Sequence, residues 1–175
     1  MTDHAGGISG RAPFWDDLAP GYSVETGEAV ISAEALHAFA AEYDPQPQHL
    51  DATAAGRTIL GQVVASGWQT LAMTMRLVVD ARLLGDTPII AAEFGRTRFH
   101  GPVRAGDRIK ADAKILSIRP MTSRDDRGFL DIEVVTSTTA GTALITQLWT
   151  LVVPRRPKPN GPTKPLVSNQ EGQSC

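Results

Sequence analysis

The chain contains a single cysteine, Cys175, so it cannot form a disulfide bond within itself. Its first residues lack an apolar signal core, and no apolar run approaches the roughly 20 residues that span a membrane. It carries no glycine-rich phosphate loop and no dinucleotide-binding fingerprint. The formal net charge of -2 gives no electrostatic reason for binding nucleic acid or an anionic membrane. We therefore expect a cytoplasmic protein that binds neither.

The length of 175 residues is enough for one domain with a hydrophobic core and too short for two. Residues 1–13 are polar and glycine-rich, which predicts a flexible N-terminus. Residues 154–175 combine prolines with polar residues, and this composition predicts a disordered tail. The single folded domain is therefore expected to span residues 14–153.

Two helices are predicted in the first half of this domain. Ser32 is a candidate cap for a helix that runs to about Tyr43. Apolar residues recur at helical spacing from Val64 to about Leu84, and their number predicts a long helix that is buried on most sides.

The other regular segments have the alternation and turn signals of strands. The first is a weak candidate over residues 22–31, and the others are residues 89–99, 107–118, 129–137 and 142–153. The last three follow one another as antiparallel neighbours, and the strand before them can pair at their edge. This pattern predicts an α+β fold with a long helix against an antiparallel sheet. Because the edge strand of such a sheet has unpaired backbone groups that a second chain can cover, we expect a homodimer or a higher homo-oligomer.

Asp44 and His49 are the first candidates for catalysis. They lie five residues apart in a predicted loop, and Pro45 and Pro47 restrict its backbone. A carboxylate beside an imidazole orients the ring and favours its protonated form, which makes the pair a candidate general acid and base. The alternative is that Asp44 caps a turn and His49 is an ordinary surface residue.

The second candidate is the start of the long helix, at Ser66 and Gly67. A glycine in the first helical turn leaves its amide unhindered, where the helix dipole favours negative charge, as in an oxyanion hole. The alternatives are that Gly67 packs closely against a neighbouring backbone and that Ser66 is a helix cap.

Other kinds of binding site receive weaker support from the sequence. Arg96, Arg98 and Arg104 form the best cation cluster for an anionic ligand, although solvated strand ends explain them equally well. We expect no metal site, since no His, Cys and Asp cluster has ligand spacing beyond the Asp44 and His49 pair.

Three segments together resemble the MaoC-like, (R)-specific enoyl-CoA hydratases. Residues 43–49 read Tyr-Asp-Pro-Gln-Pro-Gln-His and resemble that family's Asp-x-Asn-Pro-x-His motif. Residues 64–68 read Val-Ala-Ser-Gly-Trp, like its small-small-x-Gly entrance to the central helix. Residues 98–107 read Arg-Phe-His-Gly-Pro-Val-Arg-Ala-Gly-Asp and are similar to its Arg-Phe-x-x-Pro-Val-x-x-Gly-Asp connection. The likeness covers about residues 14–153.

The resemblance implies a hotdog fold, usually dimeric, that adds water syn to a trans-2-enoyl-CoA or runs the reverse dehydration. Asp44 and His49 would be the catalytic pair, and Gly67 with Ser66 would lie at the thioester carbonyl. Gln46 stands where the family usually has an Asn that holds the catalytic loop. Trp68, Leu71 and Met75 are candidate acyl-pocket or core residues, and the substrate is the acyl-CoA thioester with no further cofactor.

Two other functions remain open at this point. One is a hotdog thioesterase, which would release free thiol from an acyl-CoA. The other is a non-catalytic subunit that binds acyl thioesters, for which Gln46 in place of Asn is the supporting feature. The residues do not determine the length, branching or charge of the acyl group.

Overall fold

A computed structural model describes residues 13–157, which form six strands and four α-helices. The helices are α1 (Ala33–Tyr43), α2 (Pro47–Leu50), α3 (Ala52–Gly56) and α4 (Gly67–Asp80). The strands are β1 (Ser23–Glu25), β2 (Ala29–Val30), β3 (Ile90–Phe99), β4 (Arg108–Pro120), β5 (Arg127–Thr138) and β6 (Ala143–Pro154). Within residues 13–157, no helix is both long and apolar enough to cross a membrane.

All of the strand pairs are antiparallel, and the sheet has the order β1-β4-β5-β6-β3, with β2 also paired to β4. Strands β4, β5 and β6 are neighbours in chain order, and β3 pairs with β6 at the edge. Both features confirm the predicted connections. The arrangement of helices and one antiparallel sheet also confirms the predicted α+β class.

The core lies between α4 and one face of the sheet. The alternation in β4 determines that face: Ile109, Ala111, Ala113 and Ile115 are all buried. Leu77 and Val78 of α4 are buried against the same core. Thr74 is also buried there, and its hydroxyl group pairs with that of Thr136 on β5 at 2.7 Å. The packing of α4 against the sheet therefore fixes the position of the N-terminus of α4.

The prediction that the long helix is buried on most sides is wrong for the single chain. Its buried residues are Gln69, Thr70, Thr74, Leu77 and Val78, whereas Trp68 is 70% exposed and Val79 is also exposed. The sheet covers one side of α4 only, so part of its apolar surface has no neighbour in the chain. The helix also ends at Asp80 rather than near Leu84, and Arg82 adopts a positive φ of 55° in the turns that follow.

The weak strand candidate at residues 22–31 is two short strands, β1 and β2, separated at Gly27. Two short helices, α2 and α3, occupy a region that was expected to be loop and connector. Pro47 explains the first of them, because a proline that breaks one helix also fits the first turn of the next.

The end of the domain lies beyond the predicted boundary at residue 153. Pro154 belongs to β6, and Arg155 and Arg156 pair with Asp16 and Asp17. The predicted tail therefore does not begin at residue 154. The predictions for residues 1–12 and 158–175 lie outside the described residues.

Candidate active site

Asp44 and His49 are placed by the end of one helix and the start of another. Asp44 is the C-terminal cap of α1, and its amide donates to the carbonyl of Ala40. His49 lies in the single turn of α2, not in the loop that was predicted. Its residue surface is 7% exposed, so the alternative interpretation of His49 as a surface residue is wrong.

The ring of His49 is oriented by a backbone carbonyl. Its Nδ1 lies 2.8 Å from the carbonyl oxygen of Val64. Because a carbonyl only accepts, Nδ1 donates to it, and Nε2 is the ring nitrogen left for other partners, with Gln48 Nε2 at 3.4 Å. Nε2 points toward Asp44 Oδ2, at 3.4 Å. The second ring nitrogen therefore lies beside both a carboxylate and a side-chain amide.

The Asp44 carboxylate is held by two hydrogen bonds. The Ser66 hydroxyl donates to Oδ2 at 2.6 Å, and Gln46 Nε2 donates to Oδ1 at 2.7 Å. These two bonds, the one from Ser66 first, hold the pKa of Asp44 below its ordinary value of 3.8. Partial burial opposes this shift, and the nearby His49 adds to it. The arrangement keeps Asp44 ionised at neutral pH.

Ser66 is the N-terminal cap of α4, as one interpretation of the sequence proposed. Its Oγ accepts from the amide of Trp68 at 3.2 Å, while its own proton is directed to Asp44. The hydroxyl proton is thus already engaged. In contrast, the amide of Gly67 has no acceptor among the described residues, and it lies at the dipole-positive end of the helix. The Gly67 amide is therefore a free donor at the first position of this helix.

The close neighbour of Gly67 is a side chain rather than a backbone. A Cβ added at this position would lie 2.9 Å from Cε1 of Phe99 on β3. Glycine therefore permits the ring of Phe99 to approach the start of α4. Both residues also line two cavities.

The larger cavity, of ≈ 660 Å³, contains both members of the acid and imidazole pair. Its lining is Asp44, Gln46, His49, Gly67, Trp68, Leu71, Ala72, Phe94, Thr97, Phe99 and Gln147. The smaller cavity, of ≈ 390 Å³, shares three of these residues, His49, Gly67 and Phe99. The two spaces therefore meet at His49 and the start of α4. Met75 packs against the core instead.

The three arginines of the predicted cation cluster lie elsewhere. Arg96, Arg98 and Arg104 are exposed, and none of them lines either cavity. Within residues 13–157, no group of three His, Cys, Asp or Glu side chains could hold a metal ion. The site thus consists of a carboxylate, an imidazole and a helix amide.

Three groups at this site did not appear among the sequence candidates. The Val64 carbonyl is a backbone atom and has no residue signal. Phe99 lies inside the third family-like segment, but its ring contact with Gly67 depends on how β3 packs. Gln147 had a readable signal, because it is the one polar residue in the inward row of β6 that also contains Ile145, Trp149, Leu151 and Val153.

Comparison with known proteins gives a consistent result. The family model of the MaoC-like domain matches residues 17–137. The chain is 37% identical to a MaoC-like dehydratase from Rhodospirillum rubrum, with a TM-score of 0.79, covering 83% of this chain and 99% of that one. It is also 29% identical to YdeM of Bacillus subtilis, an uncharacterized protein, over 67% of this chain and 82% of that protein.

More distant structures share the fold. The (R)-hydratase from A. caviae involved in PHA biosynthesis superimposes with a TM-score of 0.61 at 23% identity, covering 77% of this chain and 96% of that one. The arrangement of α4 on its antiparallel sheet is thus the hotdog fold that the sequence resemblance implied. The chain belongs to the MaoC-like dehydratase family.

Proposed function

We propose that this protein catalyses the reversible syn addition of water to a trans-2-enoyl-CoA, which gives a (3R)-hydroxyacyl-CoA. The proposal rests on the 3.4 Å distance between His49 Nε2 and Asp44 Oδ2. Both residues line a cavity that Gly67 also lines. Two of the solved structures that share the fold are named as (R)-hydratases, which supports a hydration reaction.

The pair is suited to holding one water molecule. In the neutral form of the ring that donates from Nδ1, His49 Nε2 and Asp44 Oδ2 are both hydrogen-bond acceptors, 3.4 Å apart. A water that donates one proton to each satisfies both and directs its oxygen lone pair toward a substrate. Attack on Cβ transfers a water proton to the pair, and the pair then returns a proton to Cα. Because one pair serves both carbons, the two additions occur on the same face.

The Gly67 amide supplies the other half of the chemistry. As the water oxygen bonds to Cβ, the electron pair of the double bond moves toward the thioester carbonyl and forms an enolate. A single donor placed at such an oxyanion stabilises the transition state by about 3–4 kcal/mol. Gly67 has this donor free at the positive end of α4.

We also propose that the active form is a homodimer in which a second copy covers α4 and β3. Strand β3 is an edge of the sheet, paired with β6 on one side only. Ile90 and Phe94 on β3 are exposed, as are Trp68 and Val79 on α4. Edges and apolar patches of this kind are normally covered by another chain. Protein complexes also occur among the solved structures with this fold, including the HadBC dehydratase complex.

The first prediction concerns the catalytic pair. Asp44→Asn and His49→Ala should each lower kcat for crotonyl-CoA hydration by about 100- to 10,000-fold, the usual contribution of a positioned acid or base. Loss of the enoyl absorbance measures hydration, and a thiol-trapping reagent in parallel reports thioester cleavage. Circular dichroism should show that both variants remain folded.

Matched controls come from exposed residues outside both cavities. Asp80→Asn and His37→Ala make the same chemical changes and should leave kcat within about twofold, because neither residue lines either of these two cavities. Full hydration by both Asp44→Asn and His49→Ala would refute the mechanism. Release of thiol without loss of the enoyl group would identify a thioesterase, and binding without turnover would identify a non-catalytic subunit.

The second prediction concerns the ionisation of Asp44. Its side-chain ¹³C signal should titrate with a midpoint below 3.8, and Ser66→Ala should raise that midpoint because the bond to the ionised form is lost. Because the native pKa lies below the unfolded one, ionised Asp44 adds stability above the unfolded pKa. That stability disappears as the pH falls through the native pKa.

Ser117→Ala is the control for this titration, since it removes a hydroxyl that donates to another carboxylate, Asp131, at 2.7 Å. It should leave the Asp44 midpoint unchanged. An Asp44 midpoint that is the same in Ser66→Ala and the wild type would contradict the role given to Ser66.

The third prediction concerns the oligomer. In sedimentation velocity the wild-type protein should have about twice the 18.7 kDa mass of one chain. Val79→Glu should shift it toward the monomer, because a charge would be buried in the interface. Leu116→Glu changes an exposed apolar residue on β4 and should not. A wild-type monomer at all concentrations would disprove the dimer.

A further inference from the structure

Gln147 is an amide on the buried face of β6. It is 4% exposed, and its neighbour on β5, Val134, is fully buried. On the other side it pairs in register with Thr97 of β3, which is half-buried. Both residues line the larger cavity beside the catalytic pair. The buried side chains of β6 are thus apolar except for Gln147, which lines the proposed substrate cavity.

The amide of Gln147 is incompletely paired. Its Oε1 is buried and has no hydrogen-bond partner within residues 13–157. The Oε1 of Gln69, the other buried glutamine, also has no partner within these residues, but Gln69 lines neither cavity and its NH₂ group donates to the carbonyl of Ala35 at 2.9 Å. Buried polar groups are normally satisfied, so an unpaired one that faces a cavity indicates a ligand partner.

The positions of the reacting carbons indicate which arm of the thioester meets Gln147. Water adds at Cβ, which lies on the acyl side of the thioester carbonyl. Asp44 and His49 both line the larger cavity, whereas His49 alone of the two lines the smaller one. The acyl chain therefore enters the larger cavity, and the pantetheine arm leaves through the smaller one.

The charge of the larger cavity limits the chemistry of the acyl group. Asp44 is the one charged carboxylate among its lining residues, and no Lys or Arg lines it. A carboxylate on the acyl chain would therefore enter a space without a counter-ion and near a negative charge. A hydroxyl group has no such penalty, and it can donate to Oε1 of Gln147 while accepting from the Thr97 hydroxyl.

We propose that Gln147 is a specificity-determining residue that binds an uncharged hydroxyl substituent on the acyl chain. The substrate class is then a hydroxylated acyl thioester rather than a plain hydrocarbon one. This inference rests on the proposed function for the placement of the acyl arm. The competing partners of the Gln147 amide are an ordered water molecule and the pantetheine arm.

Binding to saturated analogues tests the inference independently of turnover. The probes are hexanoyl-CoA and its 4-, 5- and 6-hydroxy derivatives, titrated calorimetrically into the full-length wild type, Gln147→Met and Gln62→Met. Gln147→Met keeps the length of the side chain but removes both hydrogen-bonding ends. Gln62→Met makes the same change at an exposed position that lines neither cavity.

The wild type and Gln62→Met should bind at least one hydroxylated analogue about tenfold or more tightly than hexanoyl-CoA. Gln147→Met should lose or reverse that preference while it still binds hexanoyl-CoA. Three outcomes would overturn the inference: no preference in the wild type, an unchanged preference in Gln147→Met, or an equal loss for every analogue, which would place the amide on the pantetheine arm. Hydration of crotonyl-CoA, measured separately, decides the proposed function itself.

Discussion

The hydroxyl group of Ser66 joins Asp44, at the end of α1, to the first turn of α4. It caps α4 by accepting from the Trp68 amide, and it donates to Asp44 at 2.6 Å. Two residues before Ser66, the Val64 carbonyl orients His49, and one residue after it the Gly67 amide is left free. The start of α4 therefore positions every group of the proposed site, and the packed core beneath it fixes that start.

Much of the fold follows from local patterns. The alternation of apolar residues in β4 and their helical spacing in α4 identify both layers of the core. In each element the repeat places the apolar side chains on one face, which packs inward. The extent of burial does not follow from spacing. Trp68 and Val79 have the spacing of core residues but are exposed, since burial depends on which side of α4 the sheet covers. The end of α4 at Asp80 depends on turns that carry no strong stop signal before Gly85.

The residues of the site could be predicted from the sequence, but their arrangement in space could not. Asp44, His49 and Gly67 were identifiable because their residue types match a chemical need and a family pattern. The single turn of α2 was not, since Pro47 has the same sequence signal whether it ends a helix or begins one. Arg96 and Arg98 of β3 cluster in sequence, yet they line neither cavity, and their role in binding an anionic ligand stays a prediction. Which face a side chain takes on an edge strand depends on register shifts, and β3 has two.

The most direct test of the account is a crystal structure of Asp44→Asn with a trans-2-enoyl-CoA bound. The variant should be too slow to consume the ligand and should keep the cavity. The account predicts that the thioester oxygen accepts a hydrogen bond from the Gly67 amide, with Cβ beside His49 and the acyl chain in the larger cavity. A bound thioester whose carbonyl lies away from Gly67, in each copy of the chain, would contradict it.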